Sequence, residues 1–231
     1  DLDRLPDGNL VVTEYGADRV TVMNSRGDVV RRFGATGLSP GELLGPQYVT
    51  TDDQGFVYVS EWGGRRVSKF NSRGEFVAVF GNRAFGFSGF NRPTGLAVID
   101  DRLYVADRRG EAGTIEVFDL SGNWLETVEI PAAEDGEARF LEDIYVVGQG
   151  TLVVVAADEA ILFDVSQEAV LGRVQGEDTE RLVSAAIDAN GRLVAADFDG
   201  DQIALYEPTD NLFSGLEVRI QRVLARDFPQ M

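Results

Sequence analysis

A strand-like phrase returns five times along this chain, from positions 8, 55, 101, 150 and 191, at steps of 47, 46, 49 and 41 residues. It reads Gly8-Asn9-Leu10-Val11-Val12-Thr13-Glu14, then Gly55-Phe56-Val57-Tyr58-Val59-Ser60-Glu61, then Asp101-Arg102-Leu103-Tyr104-Val105-Ala106-Asp107. Gly150-Thr151-Leu152-Val153-Val154 and Gly191-Arg192-Leu193-Val194-Ala195-Ala196-Asp197 continue the series. A period in the forties built from short strands is that of a propeller blade, since one such unit cannot bury its own sheet faces and must stack on the next.

The second repeat shows how one blade is written. Tyr48-Val49-Thr50-Thr51 is an innermost strand and Asp52-Asp53-Gln54-Gly55 its turn. Residues 56–60 are rich in β-branched and aromatic side chains, which favour a pleated, buried strand. Glu61-Trp62-Gly63-Gly64 turns the chain into Arg66-Val67-Ser68-Lys69-Phe70, and Asn71-Ser72-Arg73-Gly74 turns it again into Glu75-Phe76-Val77-Ala78-Val79-Phe80. Gly at the end of that second turn accepts the positive φ it requires. The expected fold is all-β, with five visible four-stranded blades over residues 1–215 forming either a five-bladed ring or part of a six-bladed one. Residues 216–231 are either an outer strand or the start of a following segment. A β-sandwich would not need the four-strand pattern to restart five times.

Composition narrows the chemistry. The chain has no histidine and no cysteine, which removes imidazole bases, thiol nucleophiles and every metal site built on those ligands. Thirty-nine acids against 21 bases give a formal charge of −18, which opposes nucleic-acid phosphates and anionic lipid. No run of about 18 apolar residues occurs, so no membrane insertion is expected. The start at Asp1 without Met and the alternating run Leu216-Glu217-Val218-Arg219-Ile220 suggest a piece of a longer polypeptide with neighbouring domains.

The repeat resembles the NHL family of propellers. The likeness lies in a Phe-Gly…Gly…Pro crossing between blades, a Tyr/Val-Val-x-Asp/Glu strand end, an Arg-Val/Ile-x-x-Phe third strand and an Asp/Asn-x-x-Gly turn. These are Phe33, Gly34, Gly41, Pro46, Tyr58, Val59, Glu61, Arg66, Val67, Phe70, Asn71 and Gly74, and again Phe80, Gly81, Gly89, Pro93, Tyr104, Val105, Asp107, Ile115, Phe118, Asp119 and Gly122. The resemblance implies a non-catalytic scaffold for a protein or cell-envelope ligand within a larger bacterial protein, outside the cytoplasm in the extracellular space or periplasm. Its enzymatic relatives imply an alternative, a calcium-dependent lactonase-like hydrolase using acids at the channel mouth. Relatives with lyase activity use histidines, which this chain lacks, so the expectation leans away from an enzyme.

Several residues are candidates for a site. One acid per blade closes the second strand: Glu14, Glu61, Asp107, Asp158 and Asp197, a set that fits either a cation-holding ring or carboxylates accepting turn amides and arginines. Asp197, Asp199 and Asp201 alternate like calcium ligands but lack the frame of a twelve-residue calcium loop. No other cofactor is indicated. Tyr15 and Trp62 follow two of the acids, Phe85 and Phe87 lie in a Gly-Phe-Arg-rich crossing, and Arg108 and Arg109 sit in a lengthened third-repeat turn. These six make a candidate binding rim.

Overall fold

The structure is a computed structural model describing residues 1–81, 87–109, 112–131, 140–147, 150–175, 179–188, 192–207 and 219–224. Its strands form five four-stranded antiparallel sheets, and within each the strands lie side by side in chain order. The first sheet is β1 (Leu2–Arg4), β2 (Leu10–Glu14), β3 (Arg19–Met23) and β4 (Val29–Phe33). The second is β5 (Pro46–Thr51), β6 (Val57–Glu61), β7 (Arg66–Phe70) and β8 (Phe76–Phe80); the third is β9 (Pro93–Ile99), β10 (Arg102–Arg109), β11 (Ala112–Asp119) and β12 (Trp124–Glu129). The fourth is β13 (Leu141–Val146), β14 (Thr151–Ala156), β15 (Glu159–Asp164) and β16 (Ala169–Gln175); the fifth is β17 (Leu182–Ile187), β18 (Leu193–Asp197), β19 (Gln202–Glu207) and β20 (Arg219–Leu224). A three-residue 3-10 turn at Tyr15–Ala17 is the only helical element among the described residues.

The architecture is therefore all-β, with five propeller-type blades. Each repeated phrase forms the second strand of its sheet. β6 and β14 are buried along their whole length, which is why their sequences read as continuous apolar runs rather than as an alternation. Fourth strands stand further out, and β4 keeps most of its residues exposed or half-exposed.

The chain divides into two compact units. Asp1–Gly110 with Thr114–Val128 holds the first three sheets, and Glu111–Gly113 with Glu129–Met231 holds the last two. In the first unit Val11, Val20, Leu43, Val59 and Phe70 pack the first sheet on the second, and Tyr58, Phe80, Leu103 and Phe118 pack the second on the third. In the other unit Val155, Leu162, Leu182, Ala195 and Tyr206 join the fourth and fifth sheets.

The Asp/Asn-x-x-Gly turns have a common cause. Asn71 Oδ1 accepts the amides of Arg73 and Glu75 at 2.9 and 3.0 Å, and Asn24 and Asp119 do the same in the neighbouring sheets. Gly74 closes its turn at φ +81°, and a Cβ there would stand 2.5 Å from the Phe33 ring of the preceding blade. The motif residues that resemble one family are thus demanded by the way a blade turns and stacks.

Candidate functional site

Four of the five strand-ending acids have their oxygens filled from within the chain. Glu61, fully buried, accepts the Leu44 amide at 2.9 Å, Arg66 Nε at 2.8 Å and Ser68 Oγ at 2.5 Å. Asp107 takes the amides of Asn91 and Arg92, with Arg109 at 3.4 Å. Asp197 takes the amides of Glu180, Arg181 and Gly200 and the Gln202 amide side chain. Glu14 is clasped by Arg19 at 2.7 and 2.9 Å and by the Thr21 hydroxyl, and these bonds pull its carboxyl down to about 2. Glu61, Asp107 and Asp197 stitch the incoming crossing to their own hairpins, whereas Glu14 braces its hairpin alone.

The fourth sheet departs from this pattern. Its second hairpin is tightened to two residues, Ala157 and Asp158, and Ala156 pairs with Glu159 where Glu61 pairs with Arg66. Ala156 therefore holds the place of the acid, and Asp158 lies in the turn, accepting a bond from Gln175. The buried carboxylate moves to the opposite strand as Glu159, paired with Arg173 at 2.6 Å. Asp199 and Asp201 occupy the turn after Asp197, and no group of three acids fit to hold a metal occurs among the described residues. The oxygens of Glu14, Glu61, Asp107 and Asp197 are already bonded within the fold, so these strand-ending acids do not fit the calcium centre of the lactonase-like expectation.

The candidate rim is split by the structure. Tyr15 (54% exposed) and Trp62 (36%) stand together, ring centroids 6.3 Å apart, with the Arg92 guanidinium 3.3 Å over Trp62. Phe87, expected at the rim, is instead 3% exposed, stacked 6.0 Å from Trp124 and edge-on to Phe90 and Phe118. The crossing needs an apolar plug between the second and third sheets, and Phe87 fills it together with Phe90. Phe85 lies outside the described residues. Arg108 and Arg109 belong to β10 rather than to a free turn, and Arg109 ties down the crossing through Ser88 Oγ at 2.5 Å and the Gly89 carbonyl.

A second arrangement escaped the sequence reading. In β13 the register slips at Glu142, so that Leu141 faces Ala156 and Asp143 faces Val155. In β17 it slips at Val183, so that Leu182 faces Asp197 and Ser184 faces Ala196. These matching bulges place Asp143 and Ser184 at equivalent points of two successive innermost strands. Ser184 Oγ donates to Asp143 Oδ2 at 2.6 Å, while the Ile144 amide donates to Oδ1 at 2.8 Å. Burial pushes the Asp143 carboxyl up to about 6, and the two hydrogen bonds restrain it from rising further. Asp143 is buried and Ser184 half-exposed, so the hydroxyl is the solvent-side member of the pair. The one available signal was an acid pair, Glu142-Asp143, interrupting the otherwise apolar run from Phe140 to Val146.

Beside this pair, Arg181 reaches Glu142 at 3.5 Å and Asp199 at 4.0 Å and lies over the Phe198 ring, 5.4 Å from its centroid. Phe198 follows Asp197 as Trp62 follows Glu61, and it is 64% exposed.

Comparison with solved structures places the fold. A streptogramin B lyase structure matches with a TM-score of 0.67 and 13% identity, covering 96% of this chain and 67% of that one. A catalytically inactive histidine-to-alanine variant of virginiamycin B lyase from Staphylococcus aureus, with quinupristin, matches with a TM-score of 0.67 and 15% identity over 96% and 68%. A nidogen/laminin complex contains a chain of the same fold, at a TM-score of 0.68 and 14% identity over 89% and 74%. No family model and no curated protein matches the chain. At these identities the likeness is one of fold. The expected NHL membership is corrected accordingly: the related fold is that of the streptogramin and virginiamycin B lyases. The expectation of a non-catalytic scaffold is not kept with it, since lyase structures recur among the solved structures of this fold. No helix among the described residues is long and apolar enough to cross a membrane.

Proposed function

We propose that this protein is a hydrolase of esters or lactones in which Ser184 is the nucleophile and Asp143 its base. The observation that carries the reading is the 2.6 Å hydrogen bond from Ser184 Oγ to a buried carboxylate. A histidine-to-alanine change inactivates one lyase of this fold, and this chain contains no histidine, so here proton transfer falls to another group. A carboxyl near 6 is suited to that work near neutral pH, being ionised enough to accept a proton and acidic enough to return it.

The geometry favours acyl transfer over direct proton abstraction from carbon. Asp143 sits behind the hydroxyl, so a substrate meets Oγ first. As Oγ attacks the acyl carbon, its proton passes to Asp143 Oδ2. The tetrahedral centre collapses with cleavage of the acyl C–O bond, and the Asp143 proton passes to the departing alkoxide. Water then attacks the acyl-serine, giving its proton to Asp143, and the carboxylic acid leaves as the proton returns to Ser184 Oγ.

Covalent labelling tests this. An alkyl fluorophosphonate is expected to add to Ser184, found by mass spectrometry of the peptide containing it. Labelling should vanish in Ser184→Ala and slow by about 100-fold or more in Asp143→Asn. An inert chain, or labelling undiminished by both changes, overturns the proposal.

A further inference from the structure

We infer that Phe198 and Arg181 form a subsite for an aromatic group on the acyl portion of the substrate, and that the substrate is uncharged or cationic. The inference rests on Ser184 as the point of attack and adds the class of molecule that reaches it.

Phe198 is a large ring with no part in the core, and its exposure of 64% is the highest among the large apolar side chains described. Its backbone is nevertheless fixed, because its amide donates to the Arg181 carbonyl at 2.8 Å. The Arg181 guanidinium lies 5.4 Å from the ring centroid and is braced by Glu142 and Asp199. A held ring loses little side-chain freedom when a second ring stacks on it, so the contact is retained as binding free energy.

Position links this ring to the reactive pair. Arg181 precedes Ser184 by three residues across the bulge at Val183, a stretch that spans at most about 10 Å. Glu142, which braces Arg181, is the immediate neighbour of Asp143. A substrate attacked at Ser184 thus has its acyl chain led toward Phe198 within that distance. Charge supplies the second half. The Arg181 guanidinium is ion-paired with Glu142 and Asp199, which answer its charge, while its backbone amide donates to Asp197. A free carboxylate or phosphate on the substrate would face three acids and one neutralised arginine.

The test compares p-nitrophenyl 5-phenylpentanoate, whose ring centre lies about 8 Å from the scissile carbonyl in extended form, with p-nitrophenyl acetate. The wild-type preference for the phenyl ester is expected to fall about tenfold in Phe198→Ala and to return in Phe198→Tyr. A preference unchanged by Phe198→Ala overturns the inference. Calorimetry with 5-phenylpentanamide on Ser184→Ala reads the subsite without turnover. Binding should weaken about tenfold when Phe198→Ala is added, and the 5-phenylpentanoate anion should bind less well than the amide. Amide binding indifferent to Phe198, or an anion that binds better, also overturns it. Phe198-dependent binding without hydrolysis of either ester would leave the subsite standing and remove the hydrolase reading.

Discussion

Asp143 and Ser184 hold the same place in two successive sheets, each just past a one-residue bulge, and the hydroxyl of the second reaches the carboxylate of the first at 2.6 Å. Equivalent positions on neighbouring innermost strands are close because the blades stack, so a serine opposite an aspartate at this level meets it without any long loop. The bulge turns the side chain at that level and so decides what it faces.

Burial of Asp143 has a measurable cost. Its folded carboxyl titrates near 6, against about 3.9 in an unfolded chain. Between those values the folded state holds a proton that the unfolded state has lost, so stability falls as pH rises through the window. Asp143→Asn removes that dependence. Relative to wild type, the variant should gain about 2 kcal/mol between pH 4 and pH 7, measured by urea unfolding at each pH. Parallel curves for the two proteins would place Asp143 in water.

Glu61 and Glu14 stand at matching ends of β6 and β2 yet differ in burial. Glu61 is buried and its partner Arg66 nearly so, whereas Glu14 and Arg19 keep 31% and 39% of their side chains exposed. Glu61→Ala leaves the largely buried Arg66 without its counter-charge, its Nε and the Leu44 amide without their acceptor, and should cost about 3–5 kcal/mol although the Leu38 and Glu42 carbonyls still hold the guanidinium. Glu14→Ala should cost about 1 kcal/mol or less, since water screens the pair. The depressed Glu14 carboxyl gives a stabilisation present above its ordinary range and lost as pH falls toward about 2. Thermal unfolding of the two variants at neutral pH should show the difference as two well-separated midpoints.

Lys69 is the only lysine in the chain and is 7% exposed. Its ammonium donates to the Leu120 carbonyl at 2.9 Å and lies over the Phe56 and Tyr58 rings at 4.2 and 5.0 Å, tying the second sheet to the third. Burial lowers its pKa, but access controls its chemistry. Acylation of Nζ by an N-hydroxysuccinimide ester should be slower by about 100-fold or more than in the urea-unfolded chain, since reaction waits on opening of the inter-sheet contact. Equal rates in both states would show the cage to be open.

The fold was legible because blade architecture repeats, and a repeat amplifies weak local signals. Asn71, Asn24 and Asp119 announce the same turn three times, and residues 56–60 announce a buried strand. The site was not legible for the opposite reason. Asp143 and Ser184 are 41 residues apart and appear once, and their meeting depends on bulges that no local pattern marks. Phe87 was misplaced because a Gly-Phe-rich crossing reads alike whether its rings face outward or plug a core. Asp158 was misplaced because counting along the chain could not detect a hairpin shortened to two residues. Phe198 follows a strand-ending acid as Tyr15 and Trp62 do, and comparing those three positions would have found it.

The most direct measurement is the pH dependence of ester hydrolysis, with p-nitrophenyl 5-phenylpentanoate as substrate and Ser184→Ala and Asp143→Asn as comparisons. We expect kcat/KM to rise through an apparent pKa near 6 in the wild type, and both variants to lose about 100-fold or more. Hydrolysis without an inflection near 6, or undiminished in either variant, would contradict a role for the Asp143–Ser184 pair in catalysis.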